Sequence, residues 1–276
     1  MINAQDIIAK IIDRKLDSNK NDFGRVLVVA GSEGMLGAGA LASKSALVSG
    51  SGLVYWAVPK ELKNFANLYN PETIILSFEE IEKYSFDAAI IGPGLTTGEA
   101  PSSIIKKLLS TFNKPIVVDA CALRYISSNI KQLESFDCSK MVFTPHPGEM
   151  GLLLGLPTSE IQKNREELSA EFAAKYKLTL VLKGSNTIVA NLDGNIFINT
   201  TGNPGMATAG MGDVLCGIIA SFVGQGLSSY DAAVAGTYIH GLSGDIAVKS
   251  MGYNSLIASD VIKYLPEGFL QIKNGI

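Results

Sequence analysis

Apolar residues fall in short unbroken blocks along this chain, and most blocks stop at a glycine or a proline. The runs RVLVVAG (25–31), LVYWAV (53–58), DAAIIGPG (87–94), PIVVDA (115–120), MVFTPH (141–146) and LTLVLKG (178–184) are rich in β-branched residues and each predicts a strand. Between them apolar positions return at helical spacing over 37–48, 101–111 and 159–177. The third helix is expected to open with a capping box, Ser159 followed by Gln162, and to carry Ile161, Leu168 and Phe172 on one face. Ile7, Ile8, Ile11 and Ile12 predict a helix at the start, and two more are expected near 213–223 and 230–249.

Strands that are apolar throughout, alternating with helices, predict an α/β architecture with a mostly parallel sheet covered on both faces. The stretch NTIVANLDGNIFINT (186–200) differs, because Asn-Leu-Asp-Gly between two β-rich runs signals a hairpin. An antiparallel pair is therefore expected at the sheet edge. No linker or internal repeat interrupts the pattern, so residues 1–276 are expected to form a single domain.

Composition narrows the functional classes. The 276 residues are 47% apolar, enough for one core near its upper size, and the 28 glycines exceed the usual share. Lys and Arg number 23 against 26 acids, a net charge of -3 without any block of like sign, which argues against nucleic acid and for a neutral or small anionic partner. Cys121, Cys138 and Cys216 lack disulfide or zinc spacing and are expected to be reduced, mostly buried thiols. The opening residues are unlike a signal peptide, and no run reaches the roughly 18 apolar residues of a membrane span. A cytoplasmic protein is expected.

Candidate chemistry lies where the strands end, because ligands of open α/β sheets bind outside the carboxyl ends of the strands. Gly37, Gly39 and Ala42 have GxGxxA spacing but begin six residues after their strand stops, so they fit close helix packing better than a dinucleotide turn. The stretch TTGNPGMATAGMGDVLCGIIA (200–220) is more specific. Ala209, Gly210, Met211 and Gly212 offer unencumbered main-chain N–H groups just before a helix, an anion hole suited to phosphate. Asp213 stands at the same helix start as candidate general base, with plain helix capping as the alternative.

Lys183, Gly184, Ser185, Asn186 and Thr187 form a polar turn between strands that suits a nucleotide. His146 sits between two prolines ahead of a helix with Glu149 in its first turn, either touching ligand or shaping the turn. His240 is expected inside the fold, packed or hydrogen-bonded. Asp119 and the turn GPGL (92–95) end strands beside the expected cleft, and Asp119 either lines it or bonds loop amides.

Taken together, VLVVAGSEGMLGAGALASKSAL, IIGPGL, FTPHPGEM, LKGSNTIVA and GNPGMATAGMGDVLCGIIA resemble the ADP- or ATP-dependent NAD(P)H-hydrate dehydratases, in that family's order and over roughly residues 20–245. The resemblance implies a three-layer α/β/α ribokinase-like fold. It implies as substrate the 6S hydrates of NADH and NADPH (NADHX and NADPHX), phosphorylated on the ring hydroxyl and then stripped of phosphate. ADP is the expected donor, ATP the other, with Mg²⁺ on the phosphates and no dedicated metal cage. By the resemblance, Lys183 to Thr187 and Gly212 contact nucleotide, Ala38, Gly94, His146 and Asp213 contact the hydrate, and Asp213 is catalytic. It also implies a homotetramer and, as functional partner, a separate NAD(P)H-hydrate epimerase.

Three positions depart from the family pattern. Met211 stands where threonine is frequent, Cys121 where a second aspartate is common, and NKNDFG (19–24) replaces a His-Lys-Gly opening. Two competing readings share the glycine turn: an alcohol kinase for a hydroxymethylpyrimidine or thiazole, and a nucleotide-binding regulator without catalysis.

Overall fold

The apolar blocks assemble side by side into one nine-stranded sheet in a computed structural model that describes residues 3–275. The side chain of Ile12 lies outside the described residues. The strands are β1 (Arg25–Val29), β2 (Leu53–Val58), β3 (Ile74–Ser77), β4 (Ala88–Ile91), β5 (Ile116–Val118), β6 (Met141–Phe143), β7 (Thr179–Leu182), β8 (Ile188–Ala190) and β9 (Ile196–Ile198). Their order is β3-β2-β1-β4-β5-β6-β7-β8-β9. The seven strands from β3 to β7 pair in parallel; β8 and β9 run antiparallel, as the hairpin signal predicts. At the tip of that hairpin the Asn191 side chain accepts from the N–H groups of Asp193 and Asn195 at 3.0 and 2.9 Å, an Asx-type turn.

The period of two along each strand divides the interior into two cores. Val26, Val28, Trp56, Ile90, Val117, Val142 and Val181 face one side, while Leu27, Val29, Ala57, Ile91, Val118, Phe143 and Leu182 face the other. Helices α1 (Ala4–Ile12), α2 (Leu36–Val48), α9 (Met211–Gly224), α10 (Ser229–Met251) and α11 (Ala258–Asn274) cover the first. The second is covered by α4 (Glu99–Thr111), α5 (Cys121–Ser127), α6 (Pro147–Leu154), α7 (Thr158–Lys163) and α8 (Arg165–Tyr176); the short α3 (Lys63–Ala66) lies before β3. These are three layers, helices on both faces of a sheet. Among the described residues no helix is long and apolar enough to cross a membrane.

The sequence reading does not include α5 and α11, and it differs from the structure at two further features. The helix expected over 159–177 is two helices, broken at Asn164 (φ -123, ψ 38), and its cap position is Pro157 without a side-chain bond, so Ser159 and Gln162 form no capping box. Ile161 and Phe172 are nevertheless buried in the same core, which explains the uninterrupted apolar period. The second is the edge strand β3, where Ile74 is exposed, leaving a weak pattern.

Close packing joins α2 to α9. A Cβ at Gly217 would collide with the Ser45 hydroxyl and the Ala42 carbonyl, and a Cβ at Gly39 would enter the Trp56 ring. Small residues in α2 therefore serve helix contact, as their displaced spacing suggests.

Candidate active site

The carboxyl ends of β1, β4, β5, β6 and β7 lie along one edge of the sheet, and the residues that follow them form the site. After β1, the Gly31 N–H donates to the Pro93 carbonyl at 2.8 Å and Ser32 Oγ to the Gly94 carbonyl at 2.8 Å, tying that turn to the one after β4. Gly94 (φ 63) lies so near α2 that a Cβ there would stand 2.8 Å from Ala38 Cβ. Ala38 and Gly94 thus meet at one point of the edge.

After β5 comes buried Asp119, followed by Ala120 with the strained pair φ 48, ψ -117. Asp119 Oδ1 accepts from Thr144 Oγ1 at 2.8 Å and from Lys183 Nζ at 2.6 Å. Lys183 extends from the end of β7, and Glu149 Oε2 lies 3.8 Å from the same ammonium. Burial alone would lower the Lys183 pKa, but the negative charges of Asp119 and Glu149 carry it above the ordinary lysine value. The ammonium is therefore a fixed charge.

After β6, His146 caps α6: its Nδ1 accepts from the N–H groups of Gly148 and Glu149 at 3.0 and 3.3 Å, and Glu149 Oε2 returns the bond to the His146 N–H at 2.9 Å. The turn-shaping reading of His146 holds, and its imidazole remains exposed and lines the cavity described below.

Helix α9 begins where these groups converge. Its cap is Gly210 (φ 89), which faces Leu41 and Ala258 too closely for a Cβ. No side chain caps the first turn, and Asp213 in that turn makes no cap bond. Capping therefore does not account for Asp213. A Cβ built on Gly212 would stand 3.3 Å from Lys183 Nζ and 3.8 Å from Asp119 Oδ2, which puts the helix start against the ion pair. Burial, and then the negative charge of Asp119, push the Asp213 carboxyl up to about 7, with Lys183 opposing. Such a group can both take and return a proton near neutrality.

A cavity of about 770 Å³ opens beside this helix start. His146, Lys183, Gly184, Ser185, Asn186, Thr187, Ala209, Met211 and Gly212 line it, together with residues 199–204 and 206–208 and the apolar Leu215. Its size suits a small organic ligand. Ala38, Gly94, Gly210 and Asp213 are outside its lining. His240 contributes to the lining yet is buried, and its Nε2 has no hydrogen-bond partner; burial lowers its pKa to about 4, so it is neutral. The expectation of a histidine inside the fold holds.

Sequence reading missed Arg165. Its guanidinium donates to the carbonyls of Leu182, Lys183 and Asn186 at 3.2, 3.4 and 3.4 Å and so braces the whole 183–187 turn, in which Asn186 is left-handed (φ 52). Nothing local marks it, since Arg165 looks like an ordinary surface position in a helix. Cys121, at the first position of α5, donates Sγ–H to the Thr96 carbonyl at 3.3 Å, and burial raises its pKa. The three cysteines are free.

The Carb_kinase family model, NAD(P)H-hydrate dehydratase, matches residues 26–267. The chain is 41% identical to the bifunctional NAD(P)H-hydrate repair enzyme Nnr of Moorella thermoacetica over 268 residues, 92% of this chain and 50% of that protein. It spans about half the length of the first curated relatives it matches. It is 36% identical to the ADP-dependent (S)-NAD(P)H-hydrate dehydratase of Neisseria meningitidis, covering 90% of this chain and 86% of that one. The crystal structure of the ADP/ATP-dependent NAD(P)H-hydrate dehydratase from Bacillus subtilis, co-crystallized with ATP/Mg²⁺, superposes with a TM-score of 0.86 at 27% identity over 98% of this chain and 97% of that one. Layering, sheet order and this superposition make the fold ribokinase-like. With its family model running from β1 into α11 across every group of the site, the chain belongs to the NAD(P)H-hydrate dehydratase family.

Proposed function

We propose that this chain repairs hydrated nicotinamide nucleotides, converting (6S)-NADHX and NADPHX to NADH and NADPH at the expense of a nucleotide phosphoryl group. The observation that carries the reading is the uncapped start of α9, with Asp213 in its first turn and the Asp119–Lys183 pair against Gly212, at the mouth of a cavity of nucleotide size. Residues 1–276 are read as one catalytic domain, a reading supported by the single sheet on which all these groups converge.

In the first stage the ring hydroxyl attacks the terminal phosphorus of the donor. The new O–P bond forms as the bond to the departing nucleotide breaks, and the hydroxyl proton passes to the Asp213 carboxylate. The transition state spreads charge over the equatorial oxygens, so positioned donors provide most of the acceleration. Main-chain N–H groups of Met211 and Gly212 and the fixed charge of Lys183 suit that task. In the second stage the ring nitrogen pushes electrons toward the carbon bearing phosphate, phosphate leaves, and loss of a neighbouring ring proton restores the dihydronicotinamide.

The polar 183–187 turn is read as the nucleotide contact, and Ala38, Gly94 and His146 as contacts to the hydrate. ADP is the favoured donor, supported by the name of the Neisseria relative; ATP is the second, supported by the Bacillus co-crystal. Among the described residues no group of three or more His, Cys, Asp or Glu is arranged to hold a metal. The residues fit Mg²⁺ held mainly by phosphate oxygens, with Asp119 Oδ2 as the carboxylate oxygen that would share it and Asp213 left free to act as base. When bound, the ion supplies charge neutralisation on the phosphates.

The test is recovery of reduced-nicotinamide absorbance when the chain meets hydrated NADH, Mg²⁺ and either ADP or ATP, with phosphate release followed in parallel. Recovery matched by phosphate upholds the reading and identifies the donor. A stable phosphorylated alcohol without recovery would replace it by a kinase reaction.

A further inference from the structure

The cavity has two walls. One is the turn braced by Arg165; the other is the segment 199–209, which leaves β9, crosses α10 and delivers the chain to Gly210. This second wall is fastened along one face of α10, at Thr237, Tyr238, Gly241, Gly244 and Asp245, positions that the helical period brings together.

The fastening is continuous. Asn199 Nδ2 donates to the Thr237 carbonyl at 3.1 Å, and Thr201 Oγ1 donates to the Tyr238 carbonyl at 2.9 Å. At Gly241 and Gly244 the helix has no side chain where Thr201 and the Met206 sulfur press against it, and a Cβ at either would collide. Asp245 completes the series with both carboxylate oxygens: Oδ2 accepts from the Gly202 N–H at 2.8 Å and Oδ1 from Asn203 Nδ2 at 2.9 Å. Asn203 Oδ1 in turn accepts from the Gly205 N–H at 3.0 Å and caps the short turn Pro204–Met206. Met206 then reaches the cavity.

We propose that Asp245 is a positioning residue for the phosphoryl donor. It is not among the residues that line the cavity; it acts through Gly202 and Asn203, fixing the wall that Met206 and its neighbours present. Without it Gly202 and Asn203 lose their anchor, and the entropy of fixing that part of the wall when ligand arrives is subtracted from affinity. The chemistry at Asp213 lies on another element and is not engaged by the clamp. The inference rests on the reading that the cavity takes a nucleotide.

Asp245→Ala and Asp245→Asn in the full chain test it, by calorimetric titration with ADP and with ATP and by steady-state kinetics. Asp245→Ala is expected to weaken ADP binding about tenfold and to raise the nucleotide KM alike, with kcat within roughly twofold and the hydrate KM unchanged. Asp245→Asn, which keeps one acceptor of the two, is expected to fall between. A lowered Tm with unaltered nucleotide affinity would make Asp245 merely structural and overturn the proposal, as would a loss of kcat at unchanged nucleotide KM. If the wild-type chain binds ADP without dehydrating hydrate, weaker binding by Asp245→Ala upholds the clamp while the proposed reaction falls. A wild-type chain that binds neither nucleotide overturns both.

Discussion

Lys183 and Asp119, 64 positions apart, form a 2.6 Å ion pair at the ends of two strands that are not neighbours in the sheet. Strand β6 lies between them and supplies Thr144, whose hydroxyl completes the bonding of Asp119. Asp119→Asn keeps the oxygen that accepts from Thr144 and Lys183 but removes its charge, leaving Glu149 at 3.8 Å as the carboxylate facing the ammonium. Loss of one partner of a buried pair costs about 3–5 kcal/mol. Urea unfolding at pH 8 is expected to show a loss at the lower end of that range, because Glu149 remains.

Asp213 must be ionised to accept a proton, and its carboxyl titrates near 7. The kcat/KM of the wild type is therefore expected to rise with pH through about 7 and then level off. Asp213→Asn should lose roughly 10²- to 10⁴-fold in turnover while retaining ADP affinity. Equal loss of binding and turnover would make Asp213 structural. A flat pH profile across neutrality would deny it the role of base.

The same carboxyl has an effect on stability, and its sign is fixed by linkage. Its folded pKa of about 7 lies above the ordinary value of 3.8, so between those limits the folded state holds a proton that the unfolded state has lost. Stability from this group is present below pH 4 and declines as pH rises to 7. Asp213→Asn removes the decline. The variant is expected to melt above the wild type at pH 8, and the difference should close toward pH 4; a difference independent of pH would reject the assignment.

Arg165 braces three carbonyls with one planar fork, a geometry lysine cannot reproduce. Arg165→Ala is expected to raise the nucleotide KM about tenfold with a smaller change in kcat, and Arg165→Lys to recover only part of it. Nucleotide titration of both variants checks this. Unchanged affinity in Arg165→Ala would show that the 183–187 turn holds its shape unaided.

The parts legible in sequence are those whose signal is local. Apolar blocks such as Ala88–Ile91 and Thr179–Leu182 announce buried strands because both of their faces are covered. The glycine turn and Asp213 are contiguous, so the helix start could be read directly. The Asp119–Lys183 pair could not, because only the strand order β5-β6-β7 brings it together. Arg165 escaped for a related reason: the apolar period of 159–177 runs on through Asn164, hiding the break after which Arg165 turns toward the 182–186 carbonyls. Strand β3 escaped because an exposed edge needs no apolar pattern on both faces.

The seat of Gly217 on Ala42 and Ser45 leaves no slack between α2 and α9. The Ala38–Gly94 junction at the start of one helix and Gly212 with Asp213 at the start of the other therefore belong to a single stiff block, with no hinge between them. The opposite boundary adds hydrogen bonds to Arg165 and Asp245 to a similar close seat, of Thr201 and Met206 on Gly241 and Gly244. On the proposed reading, the groups at these two helix starts keep their spacing before any ligand arrives, so none of the binding free energy is spent on bringing them together.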